Sequence, residues 1–494
     1  MHGAETIAST TDPISQLIVA ALLVALFAVL AIEAAHRVLV VLGAVAVLWA
    51  VTYLTPFRLL PVELAAQAID LNVLLLLAAM MTLVGVLKET GVFGWAVERL
   101  LERFGHDPAR AMALLWWFTA LASAFLDNVT TVIFVAPVAV AAARRVGAPV
   151  PMVILPVVMA ANIGGTATLI GDPPNIMIGS GAGLTFMNFL EELTLPVLVM
   201  MCGLHVWSVR RLRCAMGAAA DRPARADEPG RGPEITDPGL LRWMGWICLG
   251  VLVGFVTHGA TGMPTAVPAL IGAAVALVIQ DYRYLRVAKP THEERRHGIL
   301  HVLEKEVEWP TLTFFTLLFI LVGAAVQTGL TGRLAGYLEQ GILQGREAFA
   351  LGDAGTLLFA ALLVAWVAAL LSALMDNIPF VAVSIPIIAA LIPQLPGDAT
   401  VLWWALSLGA CLGGNATPIG ASANVTTLGL AERQGIRISF REFMATGVPV
   451  TLFTLVVSSV HLFAFVLLGA HRAPVLFAAL LALGAFLVWR TERA

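Results

Sequence analysis

Ser-Ala-Phe-Leu-Asp-Asn at residues 123–128 returns as Ser-Ala-Leu-Met-Asp-Asn at 372–377, an offset of 249. Pro137 finds Pro386 at the same offset. Gly-Gly-Thr-Ala-Thr-Leu-Ile-Gly-Asp-Pro-Pro-Asn at 164–175 returns as Gly-Gly-Asn-Ala-Thr-Pro-Ile-Gly-Ala-Ser-Ala-Asn at 413–424, with seven of the twelve positions identical. Chance matches do not share one offset across about 50 residues. Upstream, Val84-Gly85 and Thr90-Gly91 match Val322-Gly323 and Thr328-Gly329 at an offset of 238, which predicts an 11-residue insertion in the following loop. The chain is therefore two copies of one unit, and equivalent motifs should meet about a pseudo-two-fold axis.

The solvent for these units is a bilayer. Hydrophobic residues make up 59% of the 494-residue chain and charged residues 12%, about half the usual charged share. No basic patch suits nucleic acid. The four cysteines, Cys202, Cys214, Cys248 and Cys411, form no metal-ligand or disulfide pattern. Spans of about 20 residues fall at 14–32, 38–54, 71–87, 150–186 (broken), 193–209, 243–257, 264–280, 310–328, 400–430 (broken), 445–469 and 473–489. The first lacks the basic flank of a signal peptide and reads as a spanning helix. Apolar stretches 111–143 and 355–394 carry polar middles and read as re-entrant hairpins. Eleven crossings put the N-terminus outside and the C-terminus in the cytoplasm. Of the 29 Lys and Arg, Arg58, Arg333, Arg346 and Arg472 stay outside and the rest fall inside, as the positive-inside rule requires. In this frame 71–87 runs inward and 310–328 outward, so the repeats are inverted. The units are 14–209 and 243–469, joined by a cytoplasmic linker at 210–242 and followed by an extra span at 473–489. The fold class is an all-α polytopic membrane protein.

Four polar interruptions carry the chemistry. The hairpin tips hold Asp127, Asn128 and Thr130, and their mates Asp376 and Asn377. The breaks hold Gly171, Asp172, Pro173, Pro174 and Asn175, and then Gly420, Ser422 and Asn424. Proline removes an N–H and glycine tolerates irregular dihedrals. Unwound backbone survives at membrane depth only inside protein or beside water, where its carbonyls hold cations and half-helix N-termini hold polar solutes. Asp127, Asp172 and Asp376 at such depth point to ion or proton binding; helix capping is the competing role, and more so for Asp172 than for the tip pair. Asn162, Thr168, Asn415, Thr417 and Cys411 are secondary candidates, with packing between helices as the alternative. No Lys or Arg is expected to face these acids. Glu33, His36 and Arg37 read as a solvated corner, and His205 and His258 as interfacial.

"SAFLDNVTTVIFVAP", "ANIGGTATLIGDPPN" and "GGNATPIGASAN" resemble the ion transporter superfamily. Within it they are similar to the group of arsenite efflux permeases, plant silicon efflux proteins, the melanosomal P protein and related sodium/proton antiporters. The likeness covers residues 14–469. Sodium-coupled dicarboxylate carriers of the superfamily have Ser-Asn-Thr at both tips, where this chain has Asp127-Asn128-Val129 and Asp376-Asn377-Ile378. The resemblance implies a homodimer in an inner (plasma) membrane, with a still scaffold domain and a transport domain moving as an elevator. It implies proton-coupled efflux of arsenite, antimonite or a similar small inorganic solute. Sodium/proton exchange and a passive anion channel are the alternatives. No cofactor or metal is expected and no enzymatic site is read. The coupling ion is H+ or Na+, and a separate ATPase subunit is a further possible partner.

Overall fold

The computed structural model describes residues 12–32, 35–104, 107–217, 235–287, 302–469 and 473–493. Among these the chain is helical, with no strand. Helix α1 (Pro13–Ala31) starts where the Asp12 carboxylate accepts from the Ile14 and Ser15 amides, with proline at the first helical position, a capping arrangement that satisfies orphan N–H groups. It is followed by α2 (Arg37–Leu54), α3 (Val62–Ala68), α4 (Leu71–Glu89) and α5 (Val92–Phe104). The first hairpin is α6 (Pro108–Phe125) and α7 (Asn128–Arg145); the first broken helix is α8 (Val150–Gly165) and α9 (Pro173–Ala182). Helices α10 (Phe186–Gly217), α11 (Pro238–Thr261) and α12 (Ala266–Val287) lead to the second unit. There stand α13 (Trp309–Gln327), α14 (Leu330–Ala348), the hairpin α15 (Asp353–Leu374) and α16 (Asn377–Leu391), and the broken helix α17 (Val401–Gly413) and α18 (Ser422–Arg433). Helices α19 (Phe440–Leu468) and α20 (Ala473–Arg493) end it.

Twelve helices among the described residues are long and apolar enough to cross a membrane, so this is a multi-pass membrane protein. The nine continuous spans expected from sequence are among them, and the other three are hairpin arms; α8 and α17 are the shorter apolar halves of the broken helices.

The repeat survives at the level of elements. Helices α4 and α13 are 19 residues each, at the sequence offset of 238. Both end at a left-handed glycine, Gly91 at φ +75° and Gly329 at φ +73°. Past the hairpins, α6 and α15 end, α7 and α16 begin, and α9 and α18 begin at an offset of 249. The 11-residue insertion is not a loop: α14 is longer than α5, α15 starts a turn earlier than α6, and helix absorbs nearly all of it. Helices α5 and α14 were not expected as elements. Both are amphipathic, which a search for continuous apolar runs overlooks. The expected linker also shrinks, since α10 runs on to Gly217 and α11 starts at Pro238; residues 218–234 lie outside the described residues.

Each hairpin lies along its own broken helix, α6 on α8 and α15 on α17, the two most extensive helix pairings in the described structure. Glycine permits the approach. A Cβ on Gly164 would collide with the Ala120 backbone, and one on its mate Gly413 with the Ala369 backbone. Helix α2 packs on α13 and α12 on α4. These peripheral pairs frame the module of hairpins and breaks, and the space between frame and module holds the site.

Candidate functional site

A cavity of about 420 Å³, within the usual range for small-molecule sites, opens between frame and module. Asp127, Asn128, Asp172, Asp376, Asn377 and Ser422 line it from the module. Both tips and both breaks thus converge on one place, as the symmetry predicts. His36, Arg37, Glu308 and Thr311 line it from the frame.

The three aspartates divide differently from the sequence-based expectation. Asp127 is the N-cap of α7: it accepts from the Thr130 amide at 2.9 Å and from the Thr130 hydroxyl. Asp376 caps α16 through the Ile378 amide at 3.1 Å and accepts from the Ser422 hydroxyl. Asp172, the residue with the stronger capping expectation, makes no side-chain cap bond. It is 1% exposed and its Oδ2 has no hydrogen-bond partner. Its symmetry mate is Ala421, so this acid belongs to one half only. A carboxylate oxygen so deeply buried without a partner is costly until a proton, a cation or a solute donor meets it. Asn377, 3% exposed, likewise keeps its Nδ2 unpartnered.

Behind the cavity wall the breaks are tied by amides. Asn175 donates to the carbonyls of Thr166 at 3.1 Å and Thr168 at 2.9 Å. Its mate Asn424 donates to those of Gly414 at 2.8 Å and Thr417 at 2.9 Å. The freed carbonyls of each break are thus partly satisfied from within. The same two asparagines join the halves. Asn162 of the first half donates to Asn424 at 3.0 Å and Asn415 at 2.9 Å, while Cys411 and Ser407 of the second donate to Asn175 at 3.5 and 2.6 Å. Asn162 and Cys411 are themselves mates at the 249 offset. Asn128 connects this network to the cavity by donating to Asn162 at 3.1 Å. Thr168 and Thr417 each bond a carbonyl at the end of their hairpin's first arm, Ala124 and Ala373. Gly171 and Gly420 pack against the break backbone at Gly165 and Gly414, with Pro173 and Pro174 opening α9.

Asn162→Ala should lower stability by about 1–3 kcal/mol, because it strands buried groups of Asn128, Asn415 and Asn424 at once. A thermal unfolding midpoint measured by dye-based fluorescence in detergent checks this.

The frame supplies two groups that the sequence reading placed elsewhere. By sequence Arg37 reads as part of a solvated corner, and the acids as a site without a cation. Its guanidinium instead reaches the cavity, donating to Ser422 Oγ at 3.2 Å and Thr311 Oγ1 at 2.7 Å and lying 5.5 Å from the Phe314 ring centroid. Glu308, which accepts from Thr311 Oγ1 at 2.8 Å, adds a fourth carboxylate. Both precede apolar spans by one or two residues, so a hydropathy boundary assigns them to the loops; only the packing of α2 on α13 turns them inward. His36 also lines the cavity, and Glu33 lies outside the described residues. His205 and His258 are buried: His205 accepts from Trp117 Nε1 at 3.2 Å and His258 from the Phe186 amide at 3.1 Å.

Comparison with known proteins agrees with this architecture. The family model CitMHS, described as "Citrate transporter", matches residues 27–409. An uncharacterized transporter of Mycobacterium tuberculosis is 39% identical over 396 residues, covering 80% of this chain and 86% of that protein. The human P protein is 30% identical over 525 residues, covering 90% of this chain and 59% of its own length. Among solved structures, the YdaH transporter of Alcanivorax borkumensis aligns with a TM-score of 0.58 at 18% identity, covering 92% of this chain and 99% of that one; this likeness speaks to the fold alone. A membrane transporter and not an enzyme, the chain belongs to the CitMHS family.

Proposed function

We propose that this protein is a proton-coupled antiporter that exports a small, uncharged inorganic solute such as arsenite or antimonite, with Asp172 as the coupling acid. The observation that carries the reading is the lone, buried, half-unpartnered Asp172 carboxylate in a cavity shared with Asp127 and Asp376. Such an acid binds a proton or cation in one state and gives it up when the site is exposed to another solution. Asn128 and Asn377 offer donors and acceptors to hydroxyls without charge.

The inverted sense of the repeats belongs to the same reading, as do an elevator movement of module against frame, a homodimer and an inner-membrane location. Ala35, His36 and Arg37, which lead into α2, line the cavity, and the positive-inside reading of the charges puts that end of α2 on the cytoplasmic side. Sodium in place of the proton is compatible with the same acids. One observation favours a second reading. Arg37 places a guanidinium in the cavity, a partner for a carboxylate, and the family's description names citrate.

Flux into proteoliposomes under an imposed pH gradient, with an internal pH dye, separates these readings. Arsenite, sodium, chloride and citrate are offered one at a time. Arsenite movement that tracks the gradient is the expected result. Gradient collapse by sodium alone would make the protein a cation/proton exchanger, citrate uptake would establish the second reading, and chloride flux indifferent to pH would make it a channel.

A further inference from the structure

The bonds around Arg37 cross from one body to the other. Its guanidinium stands on α2 and donates at once to Thr311 of α13, its neighbour in the frame, and to Ser422 at the start of α18 in the module. Ser422 in turn donates to Asp376, and Thr311 to Glu308. A chain of polar contacts therefore runs from the second hairpin tip through the second break to the frame, with Arg37 at the crossing.

Among the described residues the first half has no such crossing at the equivalent positions. At the repeat offsets, Thr311 corresponds to Val73 and Ser422 to Pro173. Neither side chain accepts a hydrogen bond. The polar residue beside Val73 is Asn72, and it turns within the frame, to Thr265 Oγ1 at 3.0 Å and the Ala266 amide at 3.0 Å. In an inverted-repeat protein the opposite access state arises when the two halves exchange conformations. The contacts that close Arg37 onto the second break have no counterpart to form there.

We propose that Arg37 is a positioning residue, a one-sided clamp that holds the second break against the frame and so biases the resting protein toward the state in which this cavity is open. It acts through Ser422 on Asp376 and is not itself the solute's ligand. The proposal rests on the inverted-repeat reading above but not on any particular solute or coupling ion.

The test reads access to the cavity directly. Thr426, on α18, lines the cavity and is partly exposed. In the full-length protein with the exposed Cys214 and Cys248 changed to serine, Thr426→Cys is labelled with a bulky hydrophilic maleimide in detergent, without solute. Adding Arg37→Gln should slow labelling on the order of tenfold or more, since a single hydrogen bond from a charged donor already carries about that weight. Arg37→Lys should recover part of the rate, since an ammonium keeps the charge but spans the two hydroxyls poorly. Thr311→Val, which removes the frame-side leg and leaves the break untouched, should move the rate in the same direction. Elution as a single symmetric peak shows that each variant has folded. If Arg37→Gln and Thr311→Val both label within about twofold of the parent, the clamp is wrong. Unchanged labelling together with a raised KM in the flux assay would make Arg37 a solute ligand and equally overturn it. Labelling needs neither solute nor gradient, so absence of proton coupling in the flux assay defeats the functional reading and leaves this one to be decided on its own.

Discussion

Asp172→Asn is expected to abolish flux driven by a pH gradient while leaving a protein that is folded and at least as heat-resistant as the parent. The two halves of the prediction have one cause. Asp172 is almost wholly buried, caps nothing and keeps one oxygen without a partner. An amide of the same shape removes the need for a neutralising proton or cation, and with it the coupling. It also removes a buried group whose charge is unfavourable in the fold, so the unfolding midpoint should stay or rise. Asp127→Ala and Asp376→Ala should do the opposite to stability. Those carboxylates cap α7 and α16, and loss of a cap costs about 0.5–2 kcal/mol. Gradient-driven flux and thermal midpoints, measured on the three variants side by side, separate a coupling acid from two caps. A lowered midpoint with surviving gradient-driven flux for Asp172→Asn would show that the residue is structural.

The sequence placed all three acids at one site but gave the stronger capping expectation to Asp172, whereas Asp127 and Asp376 are the ones that cap, and the reason is geometric. Two prolines after Asp172 make a capping signature, yet a cap needs free amides one turn on. Proline at 174 removes the amide two residues on, the Asn175 amide three residues on goes to the Asp172 carbonyl at 3.0 Å, and the Asp172 side chain is left lining the cavity. At the tips, Thr130 and Ile378 retain amides, and the chain turns so that each aspartate meets one. What was legible is what repetition encodes: the four interruptions, their equivalence and their convergence. The invisible part lies between frame and module, where no repeat links the partners. Arg37 and Ser422 are 385 positions apart, and hydropathy assigns Arg37 to water. Helices α5 and α14 escaped for a related reason. An amphipathic helix leaves no continuous apolar run, and its seat on the hairpins is a tertiary fact. The Asn162–Cys411 equivalence could have been noticed at the 249 offset, but unlike side chains at mated positions carry no signal until both are seen to reach for Asn175 and Asn424.

Gly164→Ala should be among the costliest single methyl groups added to the described helices, and so should Gly413→Ala. Each new Cβ would fall on main-chain atoms of the neighbouring hairpin arm, Ala120 for Gly164 and Ala369 for Gly413. A flexible side chain can step aside from such a contact, but a helix backbone moves only as a unit. Relief would require α6 to lift from α8, or α15 from α17, and those are the pairings that place the tips beside the breaks. Overpacking of an ordinary core costs about 1–3 kcal/mol, and these sites, where nothing soft can yield, should lie at or above the top of that range. The expected result is loss of the monodisperse peak in fluorescence-detected size-exclusion chromatography, or a surviving protein with no flux because tip and break no longer share a cavity. Gly250→Ala is the control. It lies in the middle of α11, where an added Cβ meets nothing within 4 Å, so the higher helix propensity of alanine should leave stability unchanged or raise it by up to about 1 kcal/mol. If Gly164→Ala and Gly413→Ala behaved like Gly250→Ala, the hairpins would not be held against the broken helices as closely as described. The convergence of four polar elements on one cavity would then lose its mechanical basis.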